Sequence, residues 1–277
     1  MPKPTDEIKQ EVRKVYGTIA QQREASACCQ PAAAQAALLR DYSAEEIATV
    51  PTGAYLGEGS GNPVRWAELK PGEMVVDLGS GAGMDVFLAA NRVGDKGRVI
   101  GVDMTGEMVS RAVVNAGQGN YPQVEFRLAD IEAIPLPDGT ADAVLSNCVI
   151  NLAPNKKAVF REAWRLLRPG GRLSIADIVR RPVAGAPASD TKMNPAEWCA
   201  CLAGAMVEEE YFDLVRSVGF RDVRIVAERP AMSQPADGSY SARAITFTAR
   251  KPDATPAATS PPPSTRATRA RRRKARG

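Results

Sequence analysis

The chain has 277 residues, five cysteines and no histidine, a length that suits one α/β domain of about 150–200 residues with additions. Without histidine there can be no Ser-His-Asp or Cys-His nucleophile pair, no histidine general base and no histidine-held zinc. The net charge of +4 is uneven: residues 251–277 hold eight basic groups and one acid, so the first 250 residues sum to −3.

In chain order, Ile8, Val12, Val15 and Ile19 recur at helical spacing and predict an amphipathic helix over residues 6–22. A small-residue stretch with Cys28 and Cys29 follows. Ser43-Ala44-Glu45-Glu46 reads as a capping box opening a short helix that Pro51 stops. Gly53, Gly57, Gly59 and Gly61 make a loop, and Asn62-Pro63 restarts a helix as cap and first-turn proline. From residue 73 the pattern becomes strand–turn–helix alternation. Strands are expected at 74–78, 98–103, 124–128, 143–146 and 173–179, with helices after residue 83, from Thr105, and over 156–167 up to the turn Arg168-Pro169-Gly170-Gly171. That period predicts a doubly wound parallel sheet of the Rossmann-like α/β class. Residues 182–198 read as an insertion, with helices expected around 199–206 and 208–218 and strands at 223–227 and 244–249.

No stretch reaches the roughly 18 apolar residues of a membrane span, and the charged start MPKPTDEIKQEV lacks the apolar core of a signal peptide. An odd, low cysteine count suits reduced thiols and a cytoplasmic setting without membrane contact. The tail from residue 251 is Pro, Ala, Thr, Ser and Arg, too polar to pack. Its arginines could touch phosphates weakly, but it has no aromatic residue on which bases would stack. It reads as a solvated extension.

Two groups of residues carry chemistry. Asp77-Leu78-Gly79-Ser80-Gly81-Ala82-Gly83 ends the first strand and opens a helix, and its glycines allow a sharp turn and close approach to a ligand. Asp103 ends the next strand, where a carboxylate can accept both ribose hydroxyls. Asp130-Ile131 follows the third strand, suited to an adenine amino group. The second group is sulfur. Cys148 stands at the end of the fourth strand in Ser146-Asn147-Cys148-Val149-Ile150-Asn151-Leu152, and Cys199 and Cys201 follow the insertion.

The D-L-G-S-G-A-G run with the two later aspartates resembles class I S-adenosylmethionine (SAM) methyltransferases. A dinucleotide fingerprint would place glycine at position 84, where Met84 stands. The words S-N-C-V-I-N-L-A-P-N-K, G-V-D-M-T, C-L-A-G-A and E-Y-F-D-L-V-R-S-V-G-F, with the earlier V-Y-G and A-C-C, resemble the arsenite methyltransferase family over residues 8–250. The resemblance implies four parts: an N-terminal helical arm and glycine-rich loop (1–62), a SAM-binding domain (63–181), a C-terminal α+β arsenic-binding region completing the sheet (182–250) and the basic tail (251–277). It implies that Asp77 supports the glycine loop and the SAM amino group, with Gly79, Ser80, Gly81 and Gly83 around the methionine portion. Asp103 then binds ribose, Met104 lies against adenine, Asp130 and Ile131 hold the adenine edge, and Asn147 is near the sulfonium. Cys148 and Cys201 become the arsenic ligands, with Cys28 or Cys29 as a third thiol and Cys199 a bystander. Trivalent arsenic is soft and suits thiolates. A thiol reductant, thioredoxin or glutathione, becomes a co-substrate, and the protein a monomer.

One departure stands out. Ser60 occupies the place of a cysteine that many members carry in the loop before the SAM domain. Two thiolates suit a monomethylated arsenical, whose third valence is already carbon, so either methylarsenite is the better substrate or Cys28 or Cys29 supplies the missing third thiol. Tyr55 and the loop to Asn62 are expected to cover the cofactor. The competing readings are a related SAM enzyme acting on carbon or oxygen of a small metabolite such as a quinone, which would not need Cys148 and Cys201 together, and a thiol protein that sequesters arsenicals, which would not need the glycine loop.

Overall fold

The computed structural model describes residues 4–22, 41–183, 204–231 and 240–253. Cys28, Cys29, Cys199, Cys201 and the tail from residue 254 lie outside them.

The N-terminal helix α1 (Pro4–Gln22) forms as its periodicity predicts. Val12 and Ala20 are buried, and Tyr16 and Ile19 pack with Leu56, Ala82 and Met108. The capping box is present at α2 (Ala44–Ala48): the Glu46 amide donates to Ser43 Oγ at 3.1 Å, and the Ser43 amide donates to Glu46 Oε2 at 2.8 Å. Asn62 caps α3 (Pro63–Trp66), with proline in its first turn.

Strands β1 (Met74–Leu78), β2 (Arg98–Asp103), β3 (Val124–Leu128), β4 (Ala141–Asn147) and β5 (Leu167–Pro182) alternate with α4 (Met84–Val93), α5 (Gly106–Gly119) and α6 (Lys156–Leu166). Helix α7 (Glu208–Val218) precedes β6 (Arg221–Pro230) and β7 (Tyr240–Arg250). The sheet order is β3-β2-β1-β4-β5-β7-β6. Neighbours among β1–β5 pair parallel, whereas β7 runs antiparallel to both β5 and β6. The sheet is therefore a class I SAM methyltransferase sheet, in which β7 alone runs against the other six strands, rather than a sheet parallel throughout.

The core has two faces because successive residues of a strand point to opposite sides. Val75 packs with Val86, Phe87 and Ala90 of α4. Val76 and Leu78 pack on the other side with α6 and α7, through Phe160, Ala163, Tyr211 and Val215. Strand β5 begins earlier than expected. The pairing Ala141↔Leu167 is followed by Ala143↔Arg172, so a bulge takes up Arg168-Pro169-Gly170-Gly171 and the supposed turn lies within the strand. Residues 204–206, the described part of the helix expected around 199–206, are not helical; Arg180 donates to Met206 O at 2.8 Å instead. Among the described residues no helix is long and apolar enough to cross a membrane.

Candidate functional site

The chain reverses its direction of build-out at β1, which has β2 on one side and β4 on the other. A crevice opens outside the carboxyl ends of strands at such a switch point. Here it is a cleft of about 1110 Å³ counted to its open mouth. Asp77 is the penultimate residue of β1, Asp103 closes β2 and Asn147 closes β4, and all three line it. Gly79, Ser80, Gly81, Met104, Asp130 and Ile131 line it as well. Gly83 does not line the cleft. A Cβ there would come within 2.6 Å of Phe87 and 2.9 Å of Phe126, so its role is close packing under the loop. Gly81 is the opposite case: its φ is +51°, and a Cβ would meet nothing within 4 Å. That leaves a cradle of open backbone facing the cavity.

The loop is held from below. Gly79 and Ser80 amides donate to Val102 O at 2.7 and 3.0 Å. Asp103 accepts the Gly81 amide on Oδ2 at 3.0 Å and the Thr105 amide on Oδ1 at 2.8 Å. Burial pushes Asp103 up, against the pull of those amides. Asp77 is 2% exposed, and no described group donates a hydrogen bond to its carboxylate. Burial, then the negative charges of Asp85 and Asp103, push it well above the usual carboxylate range. A carboxyl in that state favours a cationic guest. Ser80 Oγ is likewise buried without a hydrogen-bond partner among the described residues.

Several lining residues carried no local signal in the sequence. Lys9 of α1 donates to Asp130 Oδ2 at 2.6 Å and to Glu132 Oε2 at 2.9 Å, so the expected adenine-edge carboxylate already has a cation. Val12 and Tyr16 continue that wall. Asp85, the second residue of α4, accepts from Tyr42 OH at 2.8 Å and from Asn147 Nδ2 at 3.1 Å. Asn147, expected beside a sulfonium, spends its amide on the preceding loop: Nδ2 also donates to Gly61 O at 2.9 Å, and Oδ1 accepts the Ser60 amide at 2.9 Å. Tyr55 lines the cleft, together with Leu56, Glu58 and Gly59. Ser60 does not; it is 4% exposed, and its Oγ has no hydrogen-bond partner among the described residues.

Cys148 lines the cleft directly after β4 and is half-buried. Its φ is +57°, a left-handed conformation that is uncommon for a residue with a side chain and concentrates at functional sites. Its amide donates to Ala176 O at 2.9 Å, which fixes the turn against β5.

A family profile described as a methyltransferase domain matches residues 69–227. A curated arsenite methyltransferase of Halobacterium salinarum is 44% identical over 218 residues, 76% of this chain and 55% of that protein. Another arsenite methyltransferase, of Aquipseudomonas alcaligenes, is 36% identical over 80% of this chain and 65% of its own length. The solved arsenic(III) S-adenosylmethionine methyltransferase from Chlamydomonas reinhardtii is 33% identical, with a TM-score of 0.62, over 83% of this chain and 76% of that one. The chain belongs to the arsenite methyltransferase family. It spans 55% and 65% of the two curated arsenite methyltransferases. Of the five cysteines in this family member, the described residues include Cys148, and the structure brings it to the same cleft as the glycine loop.

Proposed function

We propose that this chain methylates trivalent arsenic, as arsenite or methylarsenite, with S-adenosylmethionine as methyl donor. The observation that carries the proposal is Cys148: a thiol on a left-handed turn at a strand end opens into the cleft built by Asp77, Gly79, Gly81 and Asp103. When bound, the cofactor supplies an electrophilic methyl group, which the lone pair of thiolate-held arsenic takes while the broken bond's electrons stay on sulfur. The residues suit that cofactor. Gly81 leaves a cradle, the buried Asp77 has no cation beside it among the described residues, Asp103 brings its carboxylate to the cleft at the end of β2, and Met104 and Ile131 offer apolar surface to adenine.

The arsenic lone pair carries no proton, so its attack needs no general base. That agrees with a chain without histidine. What the protein must do is hold and aim the acceptor, and proximity and orientation supply most of the acceleration. Cys148 and Cys201 are the ligands in this proposal, with Cys28 or Cys29 as a third when the substrate is arsenite. Ser60 is buried away from the cleft, which favours two thiolates and hence methylarsenite. Glutathione or thioredoxin keeps the thiols reduced, and the protein acts as a cytoplasmic monomer whose residues 182–250 bear on the substrate.

The test is incubation with the cofactor, a thiol reductant and either arsenical, followed by chromatographic speciation of arsenic. Methylated product is expected from both, faster from methylarsenite, and at background level for Cys148→Ser. No product from either substrate overturns the proposal.

A further inference from the structure

Helix α4 opens with Met84-Asp85-Val86-Phe87-Leu88-Ala89-Ala90, and every one of these residues is buried. A carboxylate in such a run is costly unless something compensates it. The two groups that touch Asp85, the Tyr42 phenol and the Asn147 amide, are neutral. No Lys or Arg among the described residues pairs with it. The charges that reach it are negative, from Glu46 and Asp41, and it acts in turn on Asp77. Asp77, 2% exposed and lining the cleft, has no hydrogen-bond donor among the described residues. This end of the cleft therefore holds two buried carboxylates and no described cation, while the Asp130 end has Lys9.

We propose that Asp85 is a second anionic contact for the cationic end of the cofactor and the residue by which the site distinguishes S-adenosylmethionine from its demethylated product. The inference rests on the proposed function for the identity of the cofactor. Asp85 hydrogen-bonds Asn147, whose chain neighbour is Cys148, so it stands on the side of the cleft where the methyl group changes hands. Before transfer the cofactor has two positive groups, an ammonium and a sulfonium. In the transfer the sulfur–carbon bond breaks, its electron pair stays on sulfur, and that positive charge disappears. The ammonium remains, and Asp77 serves it in both states. Asp85 loses its cation on turnover, so it favours the spent cofactor's departure. The neutral donors Tyr42 and Asn147 spread its charge, which limits how much it stabilises the ground state, an interaction that alone would slow the reaction.

The experiment is calorimetric titration of the full chain with S-adenosylmethionine, S-adenosylhomocysteine and sinefungin, which places a protonated amine where the sulfonium would be. Wild type is expected to bind the two cationic ligands more tightly than the homocysteine product. In Asp85→Asn their affinity falls about tenfold, a 1.4 kcal/mol change, while that of the product moves less than twofold. Equal losses for all three, or no change, overturn the inference. If wild type binds none of them, the cofactor assignment is what fails. Should Asp85→Asn not fold, Tyr42→Phe decides: removing a neutral donor leaves more of the Asp85 charge for the ligand, so preference for the cationic ligands rises. A preference that stays or falls overturns the inference.

Discussion

Two buried carboxylate clusters sit on opposite faces of the same sheet, and they are compensated in opposite ways. On the α4 face, Asp77 and Asp85 line the cleft, and among the described residues their partners are neutral or none. On the α6/α7 face, Asp177 of β5 is fully buried between Ile175 and Val179 of the core. It accepts the Ile178 amide at 2.9 Å and the Tyr211 hydroxyl at 3.0 Å, and it feels the charge of Lys156. Lys156 in turn donates to Asn151 O and Ala153 O at 3.2 Å, fastening the turn after Cys148. Tyr211 feels the charge of Cys148 as well. A buried carboxylate that has donors and a cation nearby inside the protein is scaffolding, even where burial still raises it, as at Asp177. One whose needs are unmet and that faces a cavity expects a ligand. Cys148 lies between the two, held by the first kind and facing the second.

The largest expected effect tests that division on the scaffold side. Asp177→Ala leaves the Tyr211 hydroxyl and the Ile178 amide without their acceptor, and the Lys156 charge without the carboxylate that faces it. Removing one partner of such a buried set costs about 3–5 kcal/mol, to be read as a fall in the denaturation midpoint. Asp77→Asn is expected to do the reverse. Relief of an uncompensated charge leaves stability unchanged or raised, while affinity for the cofactor drops by more than tenfold. If Asp77→Asn destabilises as much as Asp177→Ala, the two clusters do not differ in kind.

What the sequence disclosed follows the same line. Asp77, Asp103 and Cys148 were legible because each lies at or next to a strand end and sits in a local pattern of glycines or apolar residues. Asp85 carried a weaker signal, an acid inside a run of apolar helix residues, which marks a buried charge even before a fold is known. Lys9 and Tyr42 carried none. Lys9 meets Asp130 across 121 positions and Tyr42 meets Asp85 across 43, so their roles arise from the packing of α1 and of the residues just before α2. The antiparallel close of the sheet was hidden for a related reason. The alternation of residues 244–249 fits either direction, and it is the pairing Arg172↔Arg250 through Pro182↔Tyr240 that sets it.

The second effect is a pH slope in the stability of the ligand-free protein. Burial raises Asp177 to about 7, against the Ile178 amide, Lys156 and Tyr211, and raises Asp85 to about 6, against Tyr42 and Asn147. Both folded values lie above those of the unfolded chain, so the folded state binds more protons. Stability therefore falls as pH rises from about 4 to 7, by at most about 2–4 kcal/mol per group. Lys156 is lowered by burial to about 8; there the folded state binds fewer protons, and stability recovers as pH rises from about 8 toward 10. Midpoints measured across this range should show a minimum near pH 7–8. Asp77, also raised by burial, adds to the same slope. The two faces separate when S-adenosylmethionine is added: a cationic ligand keeps Asp77 and Asp85 ionised and flattens their share of the slope, leaving the Asp177 part. A slope unaltered by ligand would place Asp85 with the scaffold.

The smallest effect concerns Lys9, which breaks the pattern by bringing a cation to the cleft. Its partners Asp130 and Glu132 are 28% and 18% exposed, so solvent screens the pairs, and together they contribute about 1 kcal/mol. Lys9→Ala should lower the melting temperature by about 2–4 °C. It also leaves Asp130 uncompensated at the end of the cleft assigned to adenine, and loosens α1, whose Val12 and Tyr16 are part of the wall. Cofactor affinity should fall about two- to fivefold, the equivalent of 0.4–1 kcal/mol. The adenine is the same before and after methyl transfer, so S-adenosylmethionine and S-adenosylhomocysteine must weaken by the same factor. That separates Lys9 from Asp85, whose loss should change their ratio. A ratio that shifts in Lys9→Ala would mean that charge at the adenine rim reaches the methyl-transfer end, and that the cleft acts as one field rather than two.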